Sequence, residues 1–189
     1  TVSGMTLDRQ CSSGLMSIAT AAKQIICDGM DVTIGAGLES ISLVQNEHMN
    51  THMAVDKQLV GIHKDIYMPM LQTAEIVAQK YGISRERQDE YGLLSQNRTA
   101  AAAAAGHYDA EIVPMTTTKA VMDKATKEIS FHEVTLSGDE GIRATTIDSL
   151  TGLNAVIDGG CITAGNASQL SDGASASVLM EEKLAEQRG

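Results

Sequence analysis

Residues 12–40 read SSGLMSIATAAKQIICDGMDVTIGAGLES, and this stretch decides the fold class. Five apolar residues recur at helical spacing on one face of its first part: Leu15, Ile18, Ala22, Ile25 and Ile26. The pattern predicts a helix over 12–28, with Ser12 or Ser13 as its cap and Gly29 as its stop. The residues that follow, DVTIGAGLES, are β-branched and contain two glycines, as in a short buried strand. A helix that leads directly into such a strand indicates an α/β fold.

The composition predicts a globular protein and excludes two classes of partner. Of the 189 residues 43% are apolar, and the net charge of -10 with no cluster of Lys and Arg argues against nucleic-acid binding. No apolar run reaches about 18 residues, so no membrane partner is expected. Three cysteines without C-x-x-C spacing or a signal peptide predict free thiols in a reducing compartment, and hence a cytoplasmic location: Cys11, Cys27 and Cys161.

The rest of the chain alternates predicted elements with long irregular segments. Capping, proline and glycine signals mark the helices and strands that are predicted: helices at 73–82 and 84–106, strands at 109–115 and from Cys161, and a strand-like run at 175–180. The segments 41–71 and 116–160 carry no stable period and are predicted to be irregular. The middle is helical and rich in loops while both ends carry short β segments, which favours a middle section inserted between the ends.

The local sequence leaves the role of Cys11 open. A cysteine in the first turn of a helix faces unpaired N–H groups and the positive end of the helix dipole, and both stabilise negative charge. That position suits a nucleophile. Free cysteines are also among the most buried residues, and Cys27 in the same helix is predicted to be a core residue of that kind. A nucleophile needs a base, and the context of none of the five histidines identifies it as one.

The sequence predicts neither a metal site nor a phosphate-binding loop. His48 and His52 are four residues apart, but they occur as E-H-x-x-x-H and not in the H-E-x-x-H order of a zinc-binding helix. The segment TAGNASQLSDGAS (163–175) has no Lys and does not fit G-x-G-x-x-G. Its small residues fit a tight turn between core strands as well as a backbone that a ligand approaches closely.

Several segments, in family order, resemble the thiolases, the acetyl-CoA acyltransferases. LDRQCSSGLMSIATAAKQI (7–25) followed by DVTIGAGLESIS (31–42) is similar to the active-site segment of that family. YMPMLQTAEIVAQKYGISRERQDEYGLLSQNRTAAA (67–102) resembles its loop-domain region. DAEIVPM (109–115) resembles the D-E-I-V-P strand, and ITAGNASQLSDGASA (162–176) resembles the V-T-A-G-N-A-S-x-x-x-D-G-A-A motif.

The resemblance implies a layered α/β/α fold, here incomplete, with an inserted helical loop domain. Thiolases cleave a 3-ketoacyl-CoA with a second CoA, or run the reverse Claisen condensation, through an acyl-cysteine, and Cys11 falls on the nucleophile's position. Coenzyme A is implied as substrate, with no separate cofactor. Contacts to CoA are implied by position for six residues: Met70, Arg143, Ser149, Ala164, Gly165 and Ser168. The implied partners are CoA and acyl-CoA, and the intact enzyme is expected to be a homodimer or homotetramer.

Two departures from the family pattern concern the CoA site. Pro69 stands where many biosynthetic thiolases have His, which favours a degradative, fatty-acid-oxidising type. GLNAVI (152–157) replaces the usual L-R-P-A-F run, so the nucleotide end of the site matches the family less well.

The family's remaining acid–base groups belong to N-E-A-F, G-H-P and C-x-G-G segments, which these 189 residues do not contain. We therefore expect a central part of a longer thiolase. Residues 1–41 would belong to the N-terminal half, 42–160 would form the loop domain with a return to the N-terminal sheet, and 161–189 would start the C-terminal region. The alternatives are a catalytically inert thiolase-fold module and a related condensing enzyme of the ketoacyl-synthase kind.

Overall fold

Helix α1 (Ser13–Asp28) and strand β1 (Val32–Glu39) are the two elements that the opening stretch predicts. The computed structural model describes residues 2–189. The helix ends at Gly29, whose left-handed φ of 70° and N–H bond to the Gln24 carbonyl close its last turn. The predicted helix, its stop and the strand after it are therefore confirmed, but the predicted burial of the strand is wrong, since only Thr33 and Gly35 in it are buried.

Close backbone packing holds α1 against one face of β1. The Thr33 hydroxyl donates a hydrogen bond of 3.0 Å to the Ala21 carbonyl on α1, and both residues are buried. A Cβ added at Gly35 would lie only 2.8 Å from the Cα of Ile18. The helix can approach the strand this closely because residue 35 has no side chain.

Strand β4 (Gly173–Met180) comes from the far end of the chain and pairs antiparallel with β1. Val32 lies opposite Met180 and Glu39 lies opposite Gly173, so the strand-like run predicted at 175–180 is confirmed. Two short helices follow these strands: α2 (Ile41–Val44) after β1, and α7 (Glu182–Arg188) after β4. Residues Thr1–His52 and Leu170–Gly189 together make one compact unit.

The second unit, Met53–Gln169, is inserted in chain order between the two parts of the first. Its helices are α3 (Lys57–Ile62), α4 (Met70–Tyr81), α5 (Arg85–Ala104) and α6 (Ile147–Thr151). The helices predicted at 73–82 and 84–106 are confirmed, although α4 begins three residues earlier than expected. Ser84 caps α5 as its sequence indicates, since its hydroxyl accepts the N–H of Arg87.

The same unit contains a hairpin where the sequence predicted irregular chain. Strands β2 (Met115–Met122) and β3 (Ile129–Leu136) pair antiparallel, with Met115 opposite Leu136. The turn is closed by Asp123, whose carboxylate accepts the N–H groups of Ala125 and Thr126 at 2.7 and 2.8 Å. Most residues of the hairpin are exposed, so there is no buried face to impose the alternation that a sequence search detects.

Two predicted strands are wrong. Residues 105–111 form successive turns, and within 109–115 only Met115 belongs to a strand, which pairs with β3 and not with β1 or β4. The segment from Cys161 to Thr163 is also not a strand. Its N–H groups are bound by side chains from elsewhere in the unit, so they are not available for a sheet. The assignment of these ranges to thiolase domains stays a prediction.

Few side chains are fully buried, and in the second unit the most deeply buried ones are polar. Asp89 and Thr163 have no exposed surface, whereas the buried apolar residues are Ala21, Ala78 and Leu150. Within residues 2–189, no helix combines the length and the apolar character that crossing a bilayer requires. Because buried polar groups must be hydrogen-bonded, the partners of Asp89 and Thr163 identify the most ordered part of this unit.

Candidate active site

Cys11 lies in a short 3-10 turn, Gln10–Ser12, immediately before α1, and its side chain is exposed. Gln10 has a φ of 50°, which is a conformation that costs a residue other than glycine about 1–3 kcal/mol. Neighbouring side chains hold it there: the Gln10 N–H donates to the Asp8 carboxylate at 2.7 Å, and the Ser13 hydroxyl donates to the Gln10 carbonyl at 2.7 Å. The strained turn therefore presents the Cys11 thiol to solvent.

The N-terminus of α1 carries no side-chain cap, so the expectation that Ser12 or Ser13 would cap it is wrong. Both hydroxyls are used within the turn, where Ser12 donates to the Arg9 carbonyl at 2.9 Å and Ser13 accepts the Arg9 N–H at 2.8 Å. No side chain of the described residues thus competes for the first N–H groups of the helix. Those groups, together with the helix dipole, favour an anionic atom beside Cys11.

The segments GLESIS (37–42) and SQLSDG (168–173) meet at one end of the β1–β4 sheet. The first turn of α1 lies near the same end. The Cα of Gly14 lies 3.8 Å from the position of a Cβ at Gly37, near the end of β1. Beyond that end, Asp172 accepts the Ser42 N–H at 3.0 Å and the Ser42 hydroxyl on its other oxygen. The hydroxyl first, and then the N–H, lower the pKa of Asp172. This carboxylate therefore ties the GLESIS segment to the SQLSDG segment.

In the second unit, the turn 163–168 is shaped by the side chain of Asn166. Its amide oxygen accepts the Thr163 N–H at 2.8 Å, and its amide nitrogen donates to the Cys161 carbonyl at 3.0 Å. The buried Thr163 hydroxyl accepts the N–H groups of Gly165 and Asn166 at 3.2 and 3.3 Å. Side chains thus satisfy the backbone of the turn, and its form does not depend on a sheet partner.

The turn is anchored to α5 by Asp89. One carboxylate oxygen of Asp89 accepts the second N–H of the Asn166 amide at 2.9 Å, and the other accepts Nε of Arg85 at 2.8 Å. Backbone contact on the same side is close, since a Cβ added at Gly92 would lie 3.1 Å from the Gly165 carbonyl oxygen. The middle of α5 therefore fixes the turn by a buried ion pair and by a glycine that lets the backbones meet.

A second anchor comes from Glu75 on α4. Its carboxylate accepts the N–H of Ile162 at 2.8 Å and the N–H of Cys161 at 3.0 Å, and these two bonds, in that order, lower the pKa of Glu75. The Cys161 thiol donates to the same carboxylate at 3.2 Å and accepts an N–H of Gln88 at 3.1 Å. Burial is the main cause that raises the pKa of the Cys161 thiol. The Cys161 thiol therefore helps to connect this segment to α4 and α5.

Four of the six residues expected to contact CoA belong to this anchored turn or to α6 beside it: Ala164, Gly165, Ser168 and Ser149. Gly165 packs against α6, because a Cβ on it would lie 2.5 Å from Leu150, the residue after Ser149. The Ser149 hydroxyl is engaged in a capping box with Thr146, to whose carbonyl it donates at 2.7 Å. Ser168 is exposed, and its only hydrogen bond within residues 2–189 is a long one of 3.4 Å to the Gln169 carbonyl.

The remaining expected contacts are also exposed. Ala164 lies on the outside of the turn. Arg143 is exposed and makes no ion pair within the described chain, and its N–H donates to the Gln96 side chain at 3.2 Å. Met70 is the first residue of α4 and is 80% exposed, which leaves its thioether free to pack against a ligand. Their roles as CoA contacts stay predictions.

Residue-level reasoning missed the groups that hold the turn, namely Glu75, Arg85, Asp89 and Asn166. All four lie in segments for which the sequence predicted helices or a tight turn but no buried polar contact: QTAE, SRERQD and TAGNAS. The signal was available, since an acidic residue at an apolar helical position predicts a buried, paired carboxylate. For metal binding, no group of three or more His, Cys, Asp or Glu residues converges in the described part of the chain, and both His48 and His52 are exposed.

Comparison with known proteins supplies the family. The family model described as "Thiolase, N-terminal domain" matches residues 1–183. The chain is 42% identical, over its whole length, to mouse "3-ketoacyl-CoA thiolase B, peroxisomal". It is similar in structure to the dimeric peroxisomal thiolase of Saccharomyces cerevisiae, with a TM-score of 0.77 and 31% identity over 96% of the chain. It also matches human mitochondrial 3-ketoacyl-CoA thiolase in complex with CoA, with a TM-score of 0.71 and 32% identity over 96% of the chain.

The chain spans less than half of each of these proteins: 44% of the mouse protein, 44% of the yeast chain and 46% of the human chain. The cytoplasmic location expected from the free cysteines is wrong, because the mouse, human and Arabidopsis thaliana relatives are named as peroxisomal proteins. Free thiols indicate only a reducing environment, which does not distinguish one such compartment from another. The α/β fold of the thiolase type is confirmed by the structural matches. The chain belongs to the thiolase N-terminal domain family.

Proposed function

We propose that the protein containing this chain transfers acyl groups to and from coenzyme A, with Cys11 as the acyl carrier and the second unit as a source of CoA contacts. The observation that carries the proposal is the position of Cys11. Its exposed thiol follows a residue held at positive φ and precedes a helix N-terminus that no side chain caps. Such a position suits both nucleophilic attack and stabilisation of the oxyanion that attack creates.

The proposed reaction proceeds in two acyl transfers. The Cys11 thiolate attacks the C3 carbonyl of a 3-ketoacyl-CoA, and N–H groups at the start of α1 stabilise the oxyanion. The C2–C3 bond then breaks, the shortened acyl group stays on sulfur as a thioester, and the departing acetyl-CoA carbanion takes up a proton. A second CoA attacks the thioester through its thiol, which loses its proton, and the Cys11 thiolate leaves. Condensation is the same sequence in reverse, and covalent catalysis divides one difficult step into two easier ones.

CoA binding is assigned to three residues of the anchored turn and to three exposed residues outside it. We infer that Ser168, Ala164 and Gly165 contact the pantetheine, since the turn presents an exposed hydroxyl and small residues that permit close approach. Met70 adds an apolar contact. Arg143 and Ser149 are placed at the nucleotide end, where an exposed guanidinium suits a phosphate.

For the whole protein we propose a degradative role in fatty-acid oxidation and a homodimeric state. Support comes from the mouse relative, named a peroxisomal 3-ketoacyl-CoA thiolase, and from the yeast structure, titled a dimeric peroxisomal thiolase. Sedimentation velocity of the full-length protein would separate a dimer from a monomer or tetramer. Turnover of 3-ketoacyl-CoA substrates longer than four carbons would support the degradative role, and activity restricted to acetoacetyl-CoA would contradict it.

The test of the proposed chemistry is acyl trapping on Cys11. The full-length protein is incubated with acetyl-CoA, digested under acidic conditions, and its cysteine peptides are compared by mass spectrometry. We expect the acetyl group on Cys11 and its loss in Cys11→Ala. Cys27 is exposed, so its prediction as a core residue is wrong, and it serves as the internal control because it lies at the other end of α1. Equal labelling of the two cysteines, or none on either, would refute the assignment and favour a catalytically inert module.

A further inference from the structure

Asp89 is the most deeply buried charged residue in the described chain, and nothing in the proposed chemistry uses it. Its side chain has no exposed surface, and a buried carboxylate is costly unless both oxygens are paired. Both are paired here: Oδ2 accepts Nε of Arg85 at 2.8 Å, and Oδ1 accepts the Asn166 amide at 2.9 Å. A residue that makes two directed bonds from a buried position fixes both of its partners.

The two partners of Asp89 lead to different parts of the proposed CoA surface. Arg85 also donates through Nη2 to the carbonyls of Leu150 and Leu153, at 2.8 and 3.0 Å, and so holds the end of the helix that carries Ser149. Asn166 closes the turn that ends at Ser168. The expected nucleotide-side and pantetheine-side contacts are therefore connected through one carboxylate.

We propose that Asp89 is a positioning residue for the binding of coenzyme A. Through Asn166 it fixes the turn that carries Ser168, and through Arg85 it fixes the helix that carries Ser149. This inference rests on the proposed function. It concerns binding and not the chemical step, because Asp89 is fully buried and acts only through its two partners. Loss of the carboxylate should therefore weaken the hold on CoA and leave the thiol of Cys11 unchanged.

The substitution Asp89→Asn tests this by removing one acceptor while keeping the shape of the side chain. A carboxylate accepts on both oxygens, but an amide has one oxygen, so its NH2 group must face either Nε of Arg85 or the amide nitrogen of Asn166. Rotation of the Asn166 amide does not remove the conflict. It would turn the NH2 group of Asn166 toward the Thr163 N–H, which is also a donor. The mismatch therefore falls either on Asn166 and its turn or on Arg85, which holds the end of α6.

The experiment measures CoA-dependent turnover and Cys11 alkylation in the full-length protein. For Asp89→Asn we expect KM for CoA to rise about tenfold, since a buried hydrogen bond to a charged group no longer fixes the binding turn, with kcat at saturating CoA within about twofold. The rate of Cys11 alkylation by iodoacetamide should stay at the wild-type value. Glu90→Gln is the matched control, because it makes the same change in an exposed ion pair with Arg87 on the same helix.

A second variant keeps the proposal testable if Asp89→Asn does not fold. Asn166→Ala cuts the connection at its other end and leaves the ion pair between Arg85 and Asp89 in place. It should raise KM for CoA by a similar factor and keep kcat and alkylation near wild type. An unchanged KM for CoA in Asn166→Ala would overturn the positioning role. So would an equal rise in KM for CoA in the control Glu90→Gln. Failure of the wild type to use CoA would instead refute the proposed function itself.

Discussion

The packing of α1 on β1 predicts a large effect for a single added methyl group at Gly35. An alanine Cβ there would lie 2.8 Å from the Cα of Ile18 and 3.0 Å from its backbone nitrogen. These atoms belong to the helix backbone and cannot rotate away as the end of a side chain could. Gly35→Ala must therefore push α1, and with it the turn of Cys11, away from the strand.

The size of the effect follows from the contact distance. Carbon atoms in ordinary contact are about 3.5–4.0 Å apart, so α1 has to retreat by roughly 1 Å at this point. Overpacking of this kind costs about 1–3 kcal/mol of unfolding free energy. Gly37→Ala is the matched control on the same strand and face, since its nearest neighbour, the Gly14 Cα, is at 3.8 Å. It should be neutral or stabilising by about 0.4–1 kcal/mol, because alanine restricts the unfolded chain.

Urea unfolding monitored by circular dichroism measures the difference. With a denaturant slope of about 2 kcal/mol per M, a loss of about 2 kcal/mol lowers the midpoint for Gly35→Ala by about 1 M. Alkylation of Cys11 by iodoacetamide in native buffer reports separately on the displaced turn, and its rate should change in Gly35→Ala alone. Equal midpoints for the two variants would show that the helix does not depend on the missing side chain, and the account of the packing would be wrong.

Two further predictions concern the second unit. Gly82 ends α4 at a φ of 63° with open space around it, so Gly82→Ala should lower the unfolding free energy by about 1–2 kcal/mol. Gly61 lies at an ordinary helical φ in α3, so Gly61→Ala should raise the unfolding free energy by about 1 kcal/mol. A higher melting temperature for Gly82→Ala than for Gly61→Ala would contradict this. The N–H groups of Ile162 and Cys161 lower the pKa of Glu75 in the folded state, so its contribution to stability is complete above the ordinary pKa of a Glu, about 4.3, and is lost as pH falls through the lower folded-state value. The stability gap between wild type and Glu75→Gln in urea titrations should accordingly narrow from pH 7 toward pH 3, and a gap independent of pH would refute this role for the carboxylate.

The sequence predicted the helices and the strand that are specified by interactions between residues close together in the chain. The helix over 12–28, its stop at Gly29 and the strand at 31–40 were readable because periodicity, a left-handed glycine and β-branched residues each act within a few residues. The same holds for α5, which begins at its Ser84 cap. The sequence failed at 109–115 and at Cys161, where residues with strand character are held by turns and by distant side chains.

For the candidate site, the sequence identified Cys11 by its position before a helix and by its similarity to a family. It could not show that Gln10 adopts a positive φ or that the helix start has no side-chain cap, because both depend on where Asp8, Ser12 and Ser13 direct their hydrogen bonds. Both features bear on reactivity. The structure thus supplied the conformation around Cys11, which the sequence did not.

By itself, then, the sequence determined the α/β class and the thiolase resemblance, since periodicity and contiguous motifs are properties of the chain as written. Only the tertiary structure showed that the segments containing Glu75, Asp89 and Asn166 meet around one turn. Glu75 and Cys161 are 86 residues apart, and Asp89 and Asn166 are 77 apart. Hydrogen bonds across such separations exist only once the helices have packed, because the cost of burying a carboxylate is offset only by partners that the fold brings to it.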